Sequence, residues 1–402
     1  MRKMPIIVLG LALLRGSAST QDLALVGGKV YVSPTAAALV DATVLIHDGT
    51  ITAVGERGAV KLPNSAQVID CKGKTITAGF WNSHVHFETG WQNAADMPAA
   101  KLESHMQEML TGWGFTAAWD LGSNPQNTLT IRQRVESGEV PGPRIFMAGD
   151  IFPKGGHPVY LPPELQLIEA GTAPEAEQEA RDYIKIGLDG IKLFTGAYMG
   201  NNPVVNMSTS VVKAAVDVAH AQGKPVFTHP QNRAGVDNAL AGGVDILAHT
   251  IPVEGQYTED ELAQMKRQHV ALIPTLTLWT VVFANPQTQN KATIEAGVAE
   301  VKQYFSQGGT ILFGTDVGFQ STYDTTQEFK LMGGAMSWRG ILASLTTNPS
   351  DYFKAASEGR VEKGMKADLV VLDADPAEDV RNFAKVANTI RDGKVIYSRQ
   401  SH

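Results

Sequence analysis

Cysteine is almost absent: Cys71 is the single one in 402 residues. That excludes an internal disulfide and a cysteine-built zinc site, so any bound metal must be held by histidine, carboxylate or something less usual. Positive charge is not in excess. Lysine and arginine number 34 against 41 acidic residues, a formal net charge of −7, and no Lys/Arg run stands out, which argues against nucleic acid as a partner. Charged residues make up only 19% against 43% hydrophobic, unlike a chain that cannot bury enough apolar surface to fold. No apolar run is long enough to span a bilayer, which takes about 20 residues. Catalytic loops of other classes are missing too. There is no Gly-x-Ser-x-Gly elbow and no Gly-x-Gly-x-x-Gly after a strand. Gly73-Lys74-Thr75 imitates the end of a phosphate-binding loop, but the position five residues earlier is Val68.

The N-terminus has an order of its own. Arg2 and Lys3 precede the apolar run Pro5–Leu14, and Arg15-Gly16-Ser17-Ala18-Ser19 follows. Charged, apolar and small-residue segments in that order describe a secretory leader over residues 1–19. The expected location is therefore exported, periplasmic or secreted; a buried first strand or a retained anchor is the plain alternative. Without disulfides, an exported protein of this size relies on its core for stability.

From 20 to 78 the chain reads as short strands and turns, with Asp48-Gly49 as a hairpin signal. The C-terminal segment 358–402 matches in style, with the apolar strand Leu369–Leu372 and a turn at Asp392-Gly393. Neither end can close a domain alone, so the two are expected to build one small β-sandwich together. Between them, over 79–357, apolar strands alternate with helical segments such as Ala99–Leu110, Pro174–Ile186, Ser208–Gln222 and Asp260–Gln268. The strands end near His84, Asp120, Ala148, Leu193, His229, His249, Thr275 and Asp316. Eight strands alternating with helices predict an α/β fold, a (β/α)8 TIM barrel. The stretch from 120 to 148 leaves room only for a short helix.

His84 and His86 lie two residues apart in an apolar strand, so they face one side. Two neutral imidazoles side by side make a half-site for Zn, Mn, Fe or Co; the plain alternative is two exposed histidines at a strand end. His229, His249 and Asp316 each end an apolar strand in the same way, at the end of a barrel where active sites lie. Lys192 sits mid-strand in Gly190-Ile191-Lys192-Leu193, where burial depresses an amine's pKa and frees its lone pair. Such a lysine can take up CO2 as a metal-bridging carbamate, or it can snorkel to a rim carboxylate; the residues leave both open.

These motifs, with Gly314-Thr315-Asp316 and Lys363-Gly364-Met365-Lys366-Ala367-Asp368-Leu369, resemble the amidohydrolase superfamily in its imidazolonepropionase-like and prolidase-like branch, from about Asp22 to Tyr397. The resemblance implies two divalent ions. His84 and His86 would bind the more buried one, His229 and His249 the second, with carboxylated Lys192 bridging and Asp316 touching the first ion and the attacking water. It implies a metal-dependent amidohydrolase acting on an amide in a small peptide-like or N-acyl amino acid substrate, zinc being favoured and Mn, Co or Fe compatible. Hydrolysis of a lactone, cyclic amide or phosphoester, or mononuclear deamination, are the alternatives.

Departures from the family bear on the substrate. Dipeptidase-like members follow the fifth-strand histidine with Ala and then His or Tyr, where this chain has His229-Pro230-Gln231; Ala248 stands where Glu often precedes the sixth-strand histidine; Ala78-Gly79 replaces Pro-Gly. Candidate substrate contacts are His157 and Tyr198, on loops beyond the third and fourth strands, Gln231, two residues past the fifth-strand histidine, and Trp279, just past the seventh strand. His105, His220 and His269 read as packing or surface residues. Assembly as a homo-oligomer is compatible with the sequence.

Overall fold

The computed structural model describes residues 22–399 apart from 89, 92, 201–203 and 283–289. The expected leader lies outside them. Among the described residues no helix is long and apolar enough to cross a membrane.

The catalytic-region strands are Phe80–Val85, Phe115–Leu121, Arg144–Pro153, Gly190–Phe194, Val226–His229, Ile246–Ala248, Ala271–Ile273 and Thr310–Ile311. They pair in chain order, each parallel to the next. The sheet curls until its ends meet: Ser83 N–H donates to Phe313 O at 2.7 Å, His86 N–H to Val317 O at 2.8 Å and Asp316 N–H to His84 O at 2.8 Å. This mixed α/β arrangement is consistent with a (β/α)8 barrel. Trp81, Trp119, Phe227, Ile246, Ile273 and Leu312, all strand or strand-flanking residues, gather in one buried cluster, so apolar packing fills the interior beneath the polar strand ends.

The expected helices appear within a residue or two, as Ala99–Met109, Ala173–Lys185, Thr209–Ala221 and Glu259–Arg267. Two of them start in capping boxes, Thr172 with Glu175 and Thr258 with Glu261, which satisfy orphan N–H donors reciprocally. Two differences are instructive. The gap after Asp120 holds a helix of 12 residues, Pro125–Glu136, started by proline at the first turn and an Asn124 cap rather than by an apolar stripe. The third strand continues past Ala148 to Pro153, because Asp150 interrupts the apolar run without ending the strand.

Both termini share a second, eight-stranded sheet. Thr75–Ala78 pairs antiparallel with Leu369–Leu372, from Leu372↔Thr75 to Leu369↔Ala78. The Asp48-Gly49 and Asp392-Gly393 turns both have two successive positive φ angles, 45° and 71°, then 47° and 73°, as a tight hairpin requires. Leu25, Val44, Ile76, Leu369 and Ile390 form its own core. Arg144 clamps the sheet to the catalytic region through Glu358 at 2.8 Å and Asp368 at 3.2 Å.

Candidate metal centre

Backbone register assembles the centre. Gly314–Val317 runs beside Ser83–His86 so closely that a Cβ on Gly314 would lie 2.3 Å from Ile273 Cγ2 and 3.0 Å from His84 Cβ. At Gly318, with φ +102°, a Cβ would fall 1.8 Å from His86 O. Asn82 Nδ2 donates to Thr315 Oγ1 at 2.8 Å. The result places His84 Nε2 3.1 Å and His86 Nε2 3.0 Å from one atom, Asp316 Oδ1, and the two nitrogens 3.2 Å from each other. The other nitrogen of each ring, Nδ1, is buried without a hydrogen bond.

The row of rings continues. His84 and His249 are 4.7 Å apart between centroids, His249 and His229 4.8 Å. Hydrogen bonds select which nitrogen of each faces inward. Thr275 Oγ1 donates to Pro274 O at 2.9 Å and lies 2.6 Å from His249 Nδ1. The hydroxyl's proton is thus committed, so it accepts from Nδ1–H and leaves the Nε2 lone pair for a metal. His229 Nε2 faces Gln231 Oε1 at 2.9 Å, an acceptor only, so Nδ1 is the free donor atom of that ring. Backbone strain gathers here: Gln231, His249, Thr275 and Asp316 have φ of 61°, 78°, 44° and 60°. Non-glycine residues in this region are costly, by about 1 kcal/mol or more each, and cluster at functional sites.

Electrostatics keeps three of the four imidazoles in ligand form; at His86, burial disfavours the charge, but the Asp316 carboxylate, with Glu88 and Asp120, outweighs it and raises the pKa. Burial, against the opposing Asp316 carboxylate, pulls His84 down to about 3. Burial and the Lys192 charge pull His229 down to about 4, and burial holds His249 well below the usual histidine range. All three are neutral imidazoles at pH 7. Burial opposes ionisation of Asp316 too, but the surrounding imidazoles outweigh it and hold its carboxyl well below the usual range. Lys192 is 1% exposed. Burial draws its ammonium down to about 8 although Asp316, Asp150 and Asp120 favour the charged form.

Imidazoles beside an ionised carboxylate suit a divalent transition metal. Ligand atoms of His84, His86 and Asp316 all lie within 4.8 Å of one another, and Asp316 Oδ1 is buried with no hydrogen bond. The residues present therefore fit a metal ion.

Of the expected substrate contacts, Trp279 stands 6.2 Å from the His249 ring and donates its indole N–H to Thr250 Oγ1. Gln231 touches His229. His157 faces backbone carbonyls, Pro158 O at 3.2 Å and Leu165 O at 3.3 Å, and Tyr198 is 41% exposed. His220 and His269 are surface residues, His220 paired with Asp245. Sequence reasoning missed four residues. Asp150 pairs in register with Lys192, and burial raises its carboxyl to about 7. Tyr160 lies 6.4 Å from the His229 ring. Glu300 accepts from Ile251 N–H, and Glu328 from Leu276 and Thr277 N–H, fixing the loops beyond His249 and Thr275. Only Asp150 left a signal, a charge inside an apolar strand.

Residues 75–396 match the Amidohydrolase family. The chain belongs to that family. It is accordingly a metal-dependent hydrolase of carbon–nitrogen bonds. Ochratoxinase of Aspergillus niger is 23% identical over 391 residues, covering 85% of this chain and 79% of the relative. Imidazolonepropionase of Porphyromonas gingivalis is 20% identical over 398, covering 89% and 90%. A crystal structure of a Xaa-Pro dipeptidase with bound methionine superposes with a TM-score of 0.80 at 22% identity, covering 94% of this amidohydrolase and all of the dipeptidase.

Proposed function

We propose that the chain is a binuclear amidohydrolase that cleaves an amide bond in a peptide-like or N-acyl amino acid substrate with an apolar portion. The convergence of His84, His86 and Asp316 on one point, continued by the His249 and His229 rings, carries this reading. His84 and His86 would hold one ion; His249 Nε2 and His229 Nδ1 the other; Lys192, carboxylated, would bridge them. Zinc is favoured, with Mn, Co or Fe compatible with the donors. Bound ions lower the pKa of water towards neutrality and polarise a carbonyl. Asp316, ionised and buried, accepts the proton of the attacking water and returns it to the leaving amine. The lowered pKa of Lys192 supplies a neutral amine fraction for reaction with CO2.

Exposed Val159, Leu165, Tyr198 and Val253 lie on loops beyond the third, fourth and sixth strands, and exposed Val281 on the helix Leu276–Val282 that follows the seventh, at the end where barrel active sites open. They support an apolar portion in the substrate. The names of the ochratoxinase and dipeptidase relatives point to the same bond type. The reading also takes the curled sheet as a closed barrel, the terminal sheet as a β-sandwich, and residues 1–19 as a leader removed on export.

Screening dipeptides and N-acyl amino acids by mass spectrometry, with Zn or Mn supplied, tests the proposal. Turnover that falls about 10²–10⁴-fold in Asp316→Asn is expected; full activity in that variant, or a chain that takes up no divalent metal, overturns it. Ester and lactone substrates run alongside separate the alternative hydrolyses. The compactness of the His84–His86–Asp316 group favours a second reading, a mononuclear deaminase. That reading requires one ion per chain and an unmodified Lys192 by mass.

A further inference from the structure

We propose that the Tyr160 hydroxyl donates a hydrogen bond to the scissile carbonyl oxygen; this rests on the hydrolytic reading above. Tyr160 lies on the loop beyond the Arg144–Pro153 strand, with its ring 6.4 Å from that of His229. Phe319, three residues past Asp316, packs edge-on against it at 5.4 Å and 73°. Neighbouring Val159 N–H donates to Tyr198 O at 3.1 Å, tying this loop to the one beyond the lysine strand. Loops from three strands thus fix the phenol beside the metal centre.

An amide carbonyl under attack needs a donor where its negative charge develops, and the His157 and Trp279 donor atoms nearby are engaged. Gln231 Oε1 faces His229, both His157 nitrogens face backbone carbonyls, and the Trp279 indole donates to Thr250. Asp316 is an acceptor. The Tyr160 hydroxyl has no hydrogen-bond partner among the described residues. A phenol keeps its proton at neutral pH, so Tyr160 serves as an O–H donor. In the step itself, the attacking oxygen bonds to the carbonyl carbon and the π pair moves onto the carbonyl oxygen. That oxygen accepts the Tyr160 hydrogen bond without taking its proton. When the C–N bond breaks, the pair returns to the carbonyl, and the amine leaves with the proton held by Asp316.

The test compares zinc-loaded wild type with Tyr160→Phe, which keeps the ring and its contact with Phe319. Metal content, kcat and KM on an N-acyl amino acid turned over by the wild type, and inhibition by the matching phosphonate and by the product amino acid are measured. The expected result is unchanged metal content, a kcat lower by about 10²-fold, KM within about threefold, and weaker binding of the tetrahedral phosphonate but not of the product. Unchanged kcat with raised KM, or equal loss of phosphonate and product binding, overturns the proposal by making Tyr160 a wall only. A wild type that binds no metal and hydrolyses nothing refutes the underlying reading instead, before the variant is measured.

Discussion

Replacing Thr275 by valine removes one hydroxyl and almost no volume, and it isolates what holds His249. Thr275 Oγ1 is 2.6 Å from His249 Nδ1, and both residues are buried. Thr275 already has a positive φ of 44° as a β-branched residue, so valine adds no new backbone strain. The substitution leaves a buried Nδ1–H without an acceptor, which costs about 1–3 kcal/mol. The imidazole can escape that cost by moving the proton to Nε2, the nitrogen a metal needs. The cost then falls on metal binding, and at about 1.4 kcal/mol per tenfold it weakens the ion at His249 by roughly 5- to 150-fold, in line with the effect of removing partners that orient metal-binding histidines. Competition with a fluorescent zinc chelator measures this, with Thr275→Ser as the control that restores the acceptor. Equal zinc affinity in Thr275→Val and wild type would refute the tautomer argument, and with it the assignment of Nε2 as the donor atom.

Other expectations follow from the same geometry. Gly318→Ala places a Cβ 1.8 Å from His86 O, so the two strand ends separate; zinc uptake and thermal stability fall together, whereas loss of neither contradicts the packing. Glu328 is buried, and its carboxyl is raised from 4.5 to about 7. Protonation therefore favours the folded state: this contribution is fully present below about pH 4.5 and lost as pH rises through about 7, a change of about 3 kcal/mol. Glu328→Gln should flatten the metal-free stability profile in that window by one proton, measured by urea unfolding. The Lys192 ammonium, at about 8, gives a neutral amine whose share rises with pH. At fixed dissolved CO2, carbamate-dependent metal uptake by metal-free protein should be roughly fifteenfold faster at about pH 8 than at about pH 6.5; a pH-independent rate would exclude the neutral amine as the reacting form.

The sequence exposed those parts of the site that obey strand periodicity. His84 and His86 share a face because they are two residues apart, and His229, His249 and Asp316 end apolar strands, so their direction follows from chain position alone. Lys192 was conspicuous because a buried strand rarely carries an amine. Asp150 satisfies the same test one strand earlier, on the neighbouring strand, but the charge itself makes the apolar run read as ending at Ala148. What stayed hidden depends on contacts between loops. Tyr160 meets Phe319 across about 160 residues, Thr275 meets His249, and Glu300 and Glu328 reach back from helices to loop N–H groups; no spacing encodes any of these. The Pro125–Glu136 helix leaves little periodic signal because most of its residues are polar and its start is set by Asn124 and Pro125.

Zinc-soaked crystals read by anomalous scattering test the central claim most directly. The account predicts two peaks about 3.5–4 Å apart, one held by His84, His86 and Asp316, the other by His229 and His249, with a carbamate on Lys192 between them. A zinc position away from these five residues, or none with the His84–His86 pair left as two unliganded imidazoles, would contradict it.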